Sequence, residues 1–204
     1  KKEISAYVKS TKKMFSYTKQ AFNETNDKTF NKLFEKIDKR EDESDDMEVE
    51  IANFLAKVSE TRLSSENSER VRAYFKMVSD IESVGDSTLN LAKAMKRKRE
   101  QKAWFPQELR DNINNMFALV DEALDVMHEN TKKEFAEVKI KKAWEIEREI
   151  NDYRTLLKTE HLNNVEEHKY KYQAGIIYND LFSECEKIGD YCINVSEALN
   201  EIKE

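Results

Sequence analysis

The chain has 204 residues, of which three are Gly, one is Pro and 37% are charged. So little turn material excludes a β-sandwich or a Rossmann-type domain, while 39% hydrophobic residues suffice for a folded core rather than a disordered acidic tail. A formal charge of −6 argues against a nucleic-acid partner, because phosphate contacts need a broad basic face.

Cap signals and apolar periodicity predict six helices, over roughly 3–24, 27–59, 65–101, 106–130, 132–160 and 164–203. Asn26 or Asp27 caps the second. Its apolar residues Phe30, Leu33, Phe34 and Ile37 give way to acids and resume at Ile51, Leu55 and Val58. Ser64 or Ser65, followed by Glu66, opens the third, which carries Val71, Tyr74, Phe75, Val78 and Leu89 on one face. That helix ends in Lys96-Arg97-Lys98-Arg99, either a solvated helix end or a docking patch for an anionic partner or membrane surface. Pro106 suits the first position of the fourth helix. Thr131 with Glu134, and Asn163 with Glu166, have capping-box spacing for the fifth and sixth. Trp104, Phe105 and Trp144 read as core residues where two halves meet, with an exposed aromatic surface for a partner as the alternative. Cys185 and Cys192 lie seven residues apart on one helix, about 10 Å, too far for a disulfide, and read as reduced core thiols. No segment reaches the roughly 18 apolar residues of a membrane span. Long helices with short connections give an all-α bundle.

The chain repeats itself. Ile81 to Met95 laid over Cys185 to Leu199, at an offset of 104, matches Glu, Gly, Asp, Asn and Ala at five of fifteen positions. Met14-Phe15 with Ala21 matches Met116-Phe117 with Ala123 at an offset of 102, and Glu41, Asp45 and Ile51 match Glu147, Asn151 and Leu157 at an offset of 106. The expected organisation is a duplicated three-helix unit, residues 1–103 and 104–204, together one domain.

The repeat gives weight to carboxylates that would mean little singly. Glu82 and Asp86, Glu186 and Asp190, and Glu41 and Asp45 are each four apart and share a helix face. Glu82 and Glu186 fall on the apolar stripe rather than opposite it, and in the second helix Glu41, Ser44 and Glu48 interrupt the stripe before Ile51. Carboxylates facing a core need a cation, a hydrogen-bond partner or a raised pKa. Oxygen-only donors favour Mg²⁺, Mn²⁺, Ca²⁺ or iron over structural zinc. Glycine inside a helix costs about 1 kcal/mol against Ala. Gly85 and Gly189, each one residue before an Asp, therefore mark a place where a neighbouring backbone, a metal cluster or close helix packing needs room.

At these residues the sequence resembles the PhoU family: Glu82-Ser83-Val84-Gly85-Asp86 and Glu186-Lys187-Ile188-Gly189-Asp190 are its E-x-x-x-D motif, each followed by Asn four further on, and Glu41 to Ile51 is similar to its acidic second-helix motif. The resemblance spans about residues 12–202. Glu48 to Ala52, Lys98 to Phe105 and Tyr170 to Gly175 are most similar to the PhoU-like C-terminal region of bacterial sodium/phosphate cotransporters. It implies a six-helix fold of two pseudo-symmetric three-helix bundles. It also implies a divalent or multinuclear metal, iron foremost with Mn, Mg and Zn as alternatives, and a regulatory rather than enzymatic role in phosphate transport. Glu41, Asp45, Glu82 and Asp86 would line the first metal site, and Glu147, Asn151, Glu186 and Asp190 the second. Asn151 replaces the carboxylate expected opposite Asp45's position, so the second site should be weaker. The implied partner is a phosphate transporter's membrane domain or a phosphate-sensing protein, with a homodimer compatible, and the implied location is the cytoplasm, at the inner face of the plasma membrane if a membrane segment precedes Lys1. A free-standing PhoU-type regulator is the alternative. A structural scaffold without metal would keep apolar residues where the acids stand. A di-iron oxygenase would need Glu-x-x-His pairs, and none of His128, His161 and His168 has Glu three residues before it.

Overall fold

A computed structural model describes residues 2–133 and 137–202. Its helices are α1 (Lys2–Asn23), α2 (Asp27–Ser59), α3 (Ser65–Glu100), α4 (Gln107–Lys132), α5 (Ile140–Glu166) and α6 (Tyr172–Glu201). Among the described residues no helix is long and apolar enough to cross a membrane.

The second and third helices start where the sequence says they should because their caps form. Asn26 Oδ1 accepts the Thr29 backbone N–H at 3.0 Å, and Ser64 Oγ accepts that of Asn67 at 3.2 Å. The fifth and sixth begin about eight residues later than predicted. Thr131 is buried inside α4, where its hydroxyl donates to the His128 carbonyl at 2.7 Å instead of capping a new helix. Glu134, the other half of that capping box, lies outside the described residues. Asn163 belongs to the last turn of α5. That helix runs on until His168 adopts φ 54°, with Lys169 N–H returning to the Asn164 carbonyl at 3.0 Å. Pro106 stands at the N-cap rather than inside α4.

The ends of α3 and α5 share a Schellman arrangement. Lys102 takes φ 50°, its N–H reaches the Arg99 carbonyl, and the Ala103 N–H reaches that of Lys98 at 2.9 Å. Glycine is the usual residue here. In this chain Lys and His accept the left-handed backbone, and none of the three glycines does.

The two halves are pseudo-symmetric. In the first, α3 packs against α1 and α2; in the second, α6 packs against α4 and α5; α3 and α6 then pack on each other, as do α1 and α4. Residues matched by the repeat meet across this junction. Phe15 and Phe117 touch edge to face with ring centroids 5.6 Å apart, and Lys19 pairs with Asp121 at 2.5 Å. Met14, Phe15, Met116, Phe117, Leu181 and Phe182 are fully enclosed, and Cys185 and Cys192 are buried free thiols. Phe105 joins the core but the tryptophans do not. Trp104 is 73% exposed beneath the Lys98 ammonium, and Trp144 is 45% exposed with its indole N–H donating to Glu197 at 2.9 Å. An indole whose ring or N–H has a polar neighbour at the surface gives up less by staying there.

Candidate functional site

Each acidic motif lies along the groove between two helices of one half, α2 with α3 and α5 with α6. The core side of the α3 motif is held by Ile81, Val84, Gly85 and Thr88, and that of α6 by Cys185, Ile188, Gly189 and Cys192, all buried. Glu82 and Glu186 are half-buried at the edge of that arc, and Asp86 and Asp190 are exposed. The expectation of carboxylates facing the core is therefore corrected to carboxylates at the groove rim. Because α3 and α6 each contact three other helices, their buried arcs are wide, and a residue on the stripe's margin meets a neighbouring helix rather than the interior.

The two glycines let the helices come close. A Cβ at Gly85 would sit 3.0 Å from Ser44 Oγ, and one at Gly189 would sit 2.9 Å from Ile150 Cδ1. Ser44 and Ile150 are equivalent at the offset of 106, so three-dimensional packing reproduces the register read from the repeat. The glycines accommodate side chains of the facing helix, not space for a cluster.

In the first half, Glu41 and Asp45 of α2 face Glu82 and Asp86 of α3. Burial pushes the Glu41 carboxyl up to about 7, with Asp45 and then Asp86 adding to it. Glu82 is also pushed up to about 7, by burial and then by Asp86 and Glu48. Glu48 is thus a member of this face that the sequence-derived site lacks, although its place on the interrupted stripe marked it. Tyr7 lies beneath, fully buried, and accepts the Ser44 hydroxyl at 3.1 Å; burial raises its phenol, and Glu48, Glu82 and Asp45 raise it further.

The second half has the same scaffold with different chemistry. Asn151 donates its amide to Glu147 at 2.5 Å, and its own carbonyl oxygen is buried without a partner. Arg154, at the position equivalent to Glu48, forms an ion pair with Glu186 at 3.1 Å. Asp190 is pushed up to about 6 by burial and then by Glu186 and Glu147, with Arg154 opposing. Beneath this face Leu109 and Ile150 replace Tyr7 and Ser44.

The donor set of the first face suits a hard cation: five carboxylates, oxygen only, repelling one another, with Lys93 as the cation that weakly offsets Glu41. Among the described residues no three of His, Cys, Asp or Glu already stand as a cage, so these side chains would have to swing inward to ligate. The second face fits poorly, because a guanidinium already stands beside Glu186.

The architecture is that of known proteins. The chain superposes on PhoU of Pseudomonas aeruginosa with a TM-score of 0.84, at 14% identity, over 98% of this chain and 93% of that one. On PhoU of Streptococcus pneumoniae, described as a phosphate transport system regulatory protein, the TM-score is 0.77 at 17% identity, covering 98% and 91%. A phosphate-specific transport system accessory protein PhoU homolog of Clostridium acetobutylicum is 27% identical over 172 residues, which cover 81% of this chain and 75% of the relative. The family model for the PhoU domain matches residues 4–95, the half that carries the more acidic face. Residues 4–95 thus carry a match to the PhoU domain, and the chain as a whole has the fold of the PhoU crystal structures.

Proposed function

We propose that this protein is a PhoU-type accessory regulator of phosphate transport, without enzymatic activity, whose first acidic face is a divalent-metal site. The relatives it matches are named as accessory or regulatory proteins of phosphate transport, which favours that role over the cytoplasmic part of a sodium/phosphate cotransporter. On this reading the protein works in the cytoplasm, and its partner is a phosphate transporter's membrane domain or a phosphate-sensing protein.

The observation that carries the metal assignment is the opposition of Glu41, Asp45 and Glu48 on α2 to Glu82 and Asp86 on α3. Between two helices held by their buried core these side chains repel one another, and burial with that repulsion pushes Glu41 and Glu82 up to about 7. A bound divalent cation, iron foremost, with Mn, Mg or Zn as alternatives, would supply positive charge to that groove. Glu41 and Glu82 would then give up their protons, and α2 and α3 would be fixed in one relative position. On the second face Glu147, Asn151, Glu186 and Asp190 remain a weak site, since Arg154 supplies an internal charge and Asn151 none.

The test is metal content by elemental analysis of protein purified without chelator, followed by thermal melts with added Fe²⁺, Mn²⁺ and Zn²⁺. Metal that copurifies and a raised melting temperature lost in Asp86→Asn support the reading. Metal-free protein that gains no stability from any of these ions overturns it.

A further inference from the structure

A cavity of about 330 Å³ opens where the connection between α1 and α2 meets the connection between α3 and α4, away from both acidic faces. Its two sides differ in chemistry. One is aromatic: the Phe22 and Phe105 rings lie 6.5 Å apart, and Trp104 stands at the rim, largely in solvent. The other is cationic, formed by Lys98, Lys102 and Arg110. The Lys98 ammonium sits 4.8 Å from the centroid of Phe105 and 5.6 Å from that of Trp104.

None of the three cations makes an ion pair among the described residues, in a chain where 41 acids outnumber 35 Lys and Arg. The nearby acids are occupied. Asp27 pairs with Arg99 at 2.5 Å, and Glu24 accepts the Asn26 backbone N–H at 2.7 Å. Burial lowers the Lys98 ammonium, and Arg110 and Arg99 lower it further, so an anion would relieve stored repulsion. The walls are preformed: Arg99 donates to the Glu24 and Thr25 carbonyls and ties the first connection to the end of α3, while the left-handed Lys102 fixes the second.

We propose that this cavity binds a small nucleoside phosphate, with the phosphoryl group held by Lys98, Lys102 and Arg110 and the base laid against Trp104. An exposed indole beside unpaired cations is the combination that phosphorylated bases use, by stacking and charge together. Inorganic phosphate would engage the cations and leave Trp104 idle. The cations line a concavity rather than a convex face, which suits a small ligand better than a membrane. This inference goes beyond the regulatory reading and uses none of the acidic-face residues.

Trp104 reports its own site once Trp144→Phe removes the other tryptophan of the chain. In that full-length background, with chelator present and roughly 150 mM salt to suppress non-specific attraction, AMP or ATP is expected to quench Trp104 saturably. Inorganic phosphate and adenosine should bind at least about tenfold more weakly. Lys98→Met with Arg110→Met should weaken nucleotide binding at least about tenfold at unchanged helicity, and Lys98→Arg should restore part of it. Trp104→Leu, followed by calorimetry, should weaken it by about the same factor. Asp86→Asn should leave it unchanged, which separates this result from any failure of the metal reading. The proposal is overturned if neither nucleotide binds saturably, if Lys98→Met with Arg110→Met binds as before, or if inorganic phosphate binds as tightly as nucleotide. Sedimentation with vesicles of about 30% anionic lipid, dependent on Lys98 and Trp104 and unaccompanied by nucleotide binding, would assign the patch to a membrane and likewise overturn it.

Discussion

The two acidic grooves are built on one scaffold and have been given opposite solutions to the same electrostatic problem. The first gathers Glu41, Asp45, Glu48, Glu82 and Asp86, a formal charge of −5, over a polar layer of Tyr7 and Ser44. The second places Glu147, Asn151, Arg154, Glu186 and Asp190 at the matching positions, a formal charge of −2, over Leu109 and Ile150. Two differences, Asn for Asp and Arg for Glu, give the second groove from within the chain part of the charge compensation that the first groove lacks. The two copies share a geometry, but one of them is partly neutralised by its own arginine.

The comparison is broken most sharply by exchanging the two substitutions. Asp45→Asn with Glu48→Arg should erase the metal-dependent rise in melting temperature. For a ligand at about a hundred times its Kd that rise corresponds to about 3 kcal/mol, or roughly 5–10 °C in a chain of this size. Asn151→Asp with Arg154→Glu should give the second groove the first one's donors, and elemental analysis should show bound metal rising towards twice the parent's content. Without metal the same double variant should melt a few degrees lower, since it restores repulsion that Arg154 removes.

Acidity gives a smaller effect. Glu41 and Glu82 hold protons more tightly in the folded chain, with values near 7, than in the unfolded one, near 4.5. Their contribution to stability is therefore fully present below the unfolded value and is lost as pH rises through about 7. Metal-free protein should melt a few degrees higher at pH 5.5 than at pH 8, and Glu41→Gln with Glu82→Gln should flatten that slope.

The smallest difference concerns the glycines. A methyl at Gly189 runs into the branched Ile150 side chain, at 2.9 and 3.3 Å, so Gly189→Ala should cost about 1–2 kcal/mol in urea unfolding after the helix-propensity gain. At Gly85 the neighbour is one serine hydroxyl that can rotate away from Tyr7, and Gly85→Ala should change stability by less than about 1 kcal/mol.

Much of this contrast was legible in the sequence. The offset of 106 that aligned Glu41 with Glu147 also pairs Ser44 with Ile150 and Glu48 with Arg154, and the packing of Gly85 and Gly189 reproduces it. What the carboxylate spacing alone could not give was Arg154 reaching Glu186 on another helix, because an ion pair between elements depends on their approach. The starts of α5 and α6 were misplaced for a similar reason: Thr131 and Asn163 have the right spacing for caps, but buried α4 and the left-handed His168 decide where those helices end and begin. Trp104 and Trp144 read as core residues with an exposed aromatic surface as the alternative, and it is the alternative's exposure that the structure shows, beside Lys98 and Glu197.

The contact between Lys19 and Asp121 has a consequence for how the halves recognise each other. Positions 19 and 121 are the same position of the repeat, and they meet at the junction beside the matched pair Phe15 and Phe117. In a symmetric pairing of two first halves, lysine would oppose lysine; in one of two second halves, aspartate would oppose aspartate. Only the mixed pairing sets opposite charges together, so the junction itself discriminates self from complement, and the covalent link between α3 and α4 is not the sole source of that order.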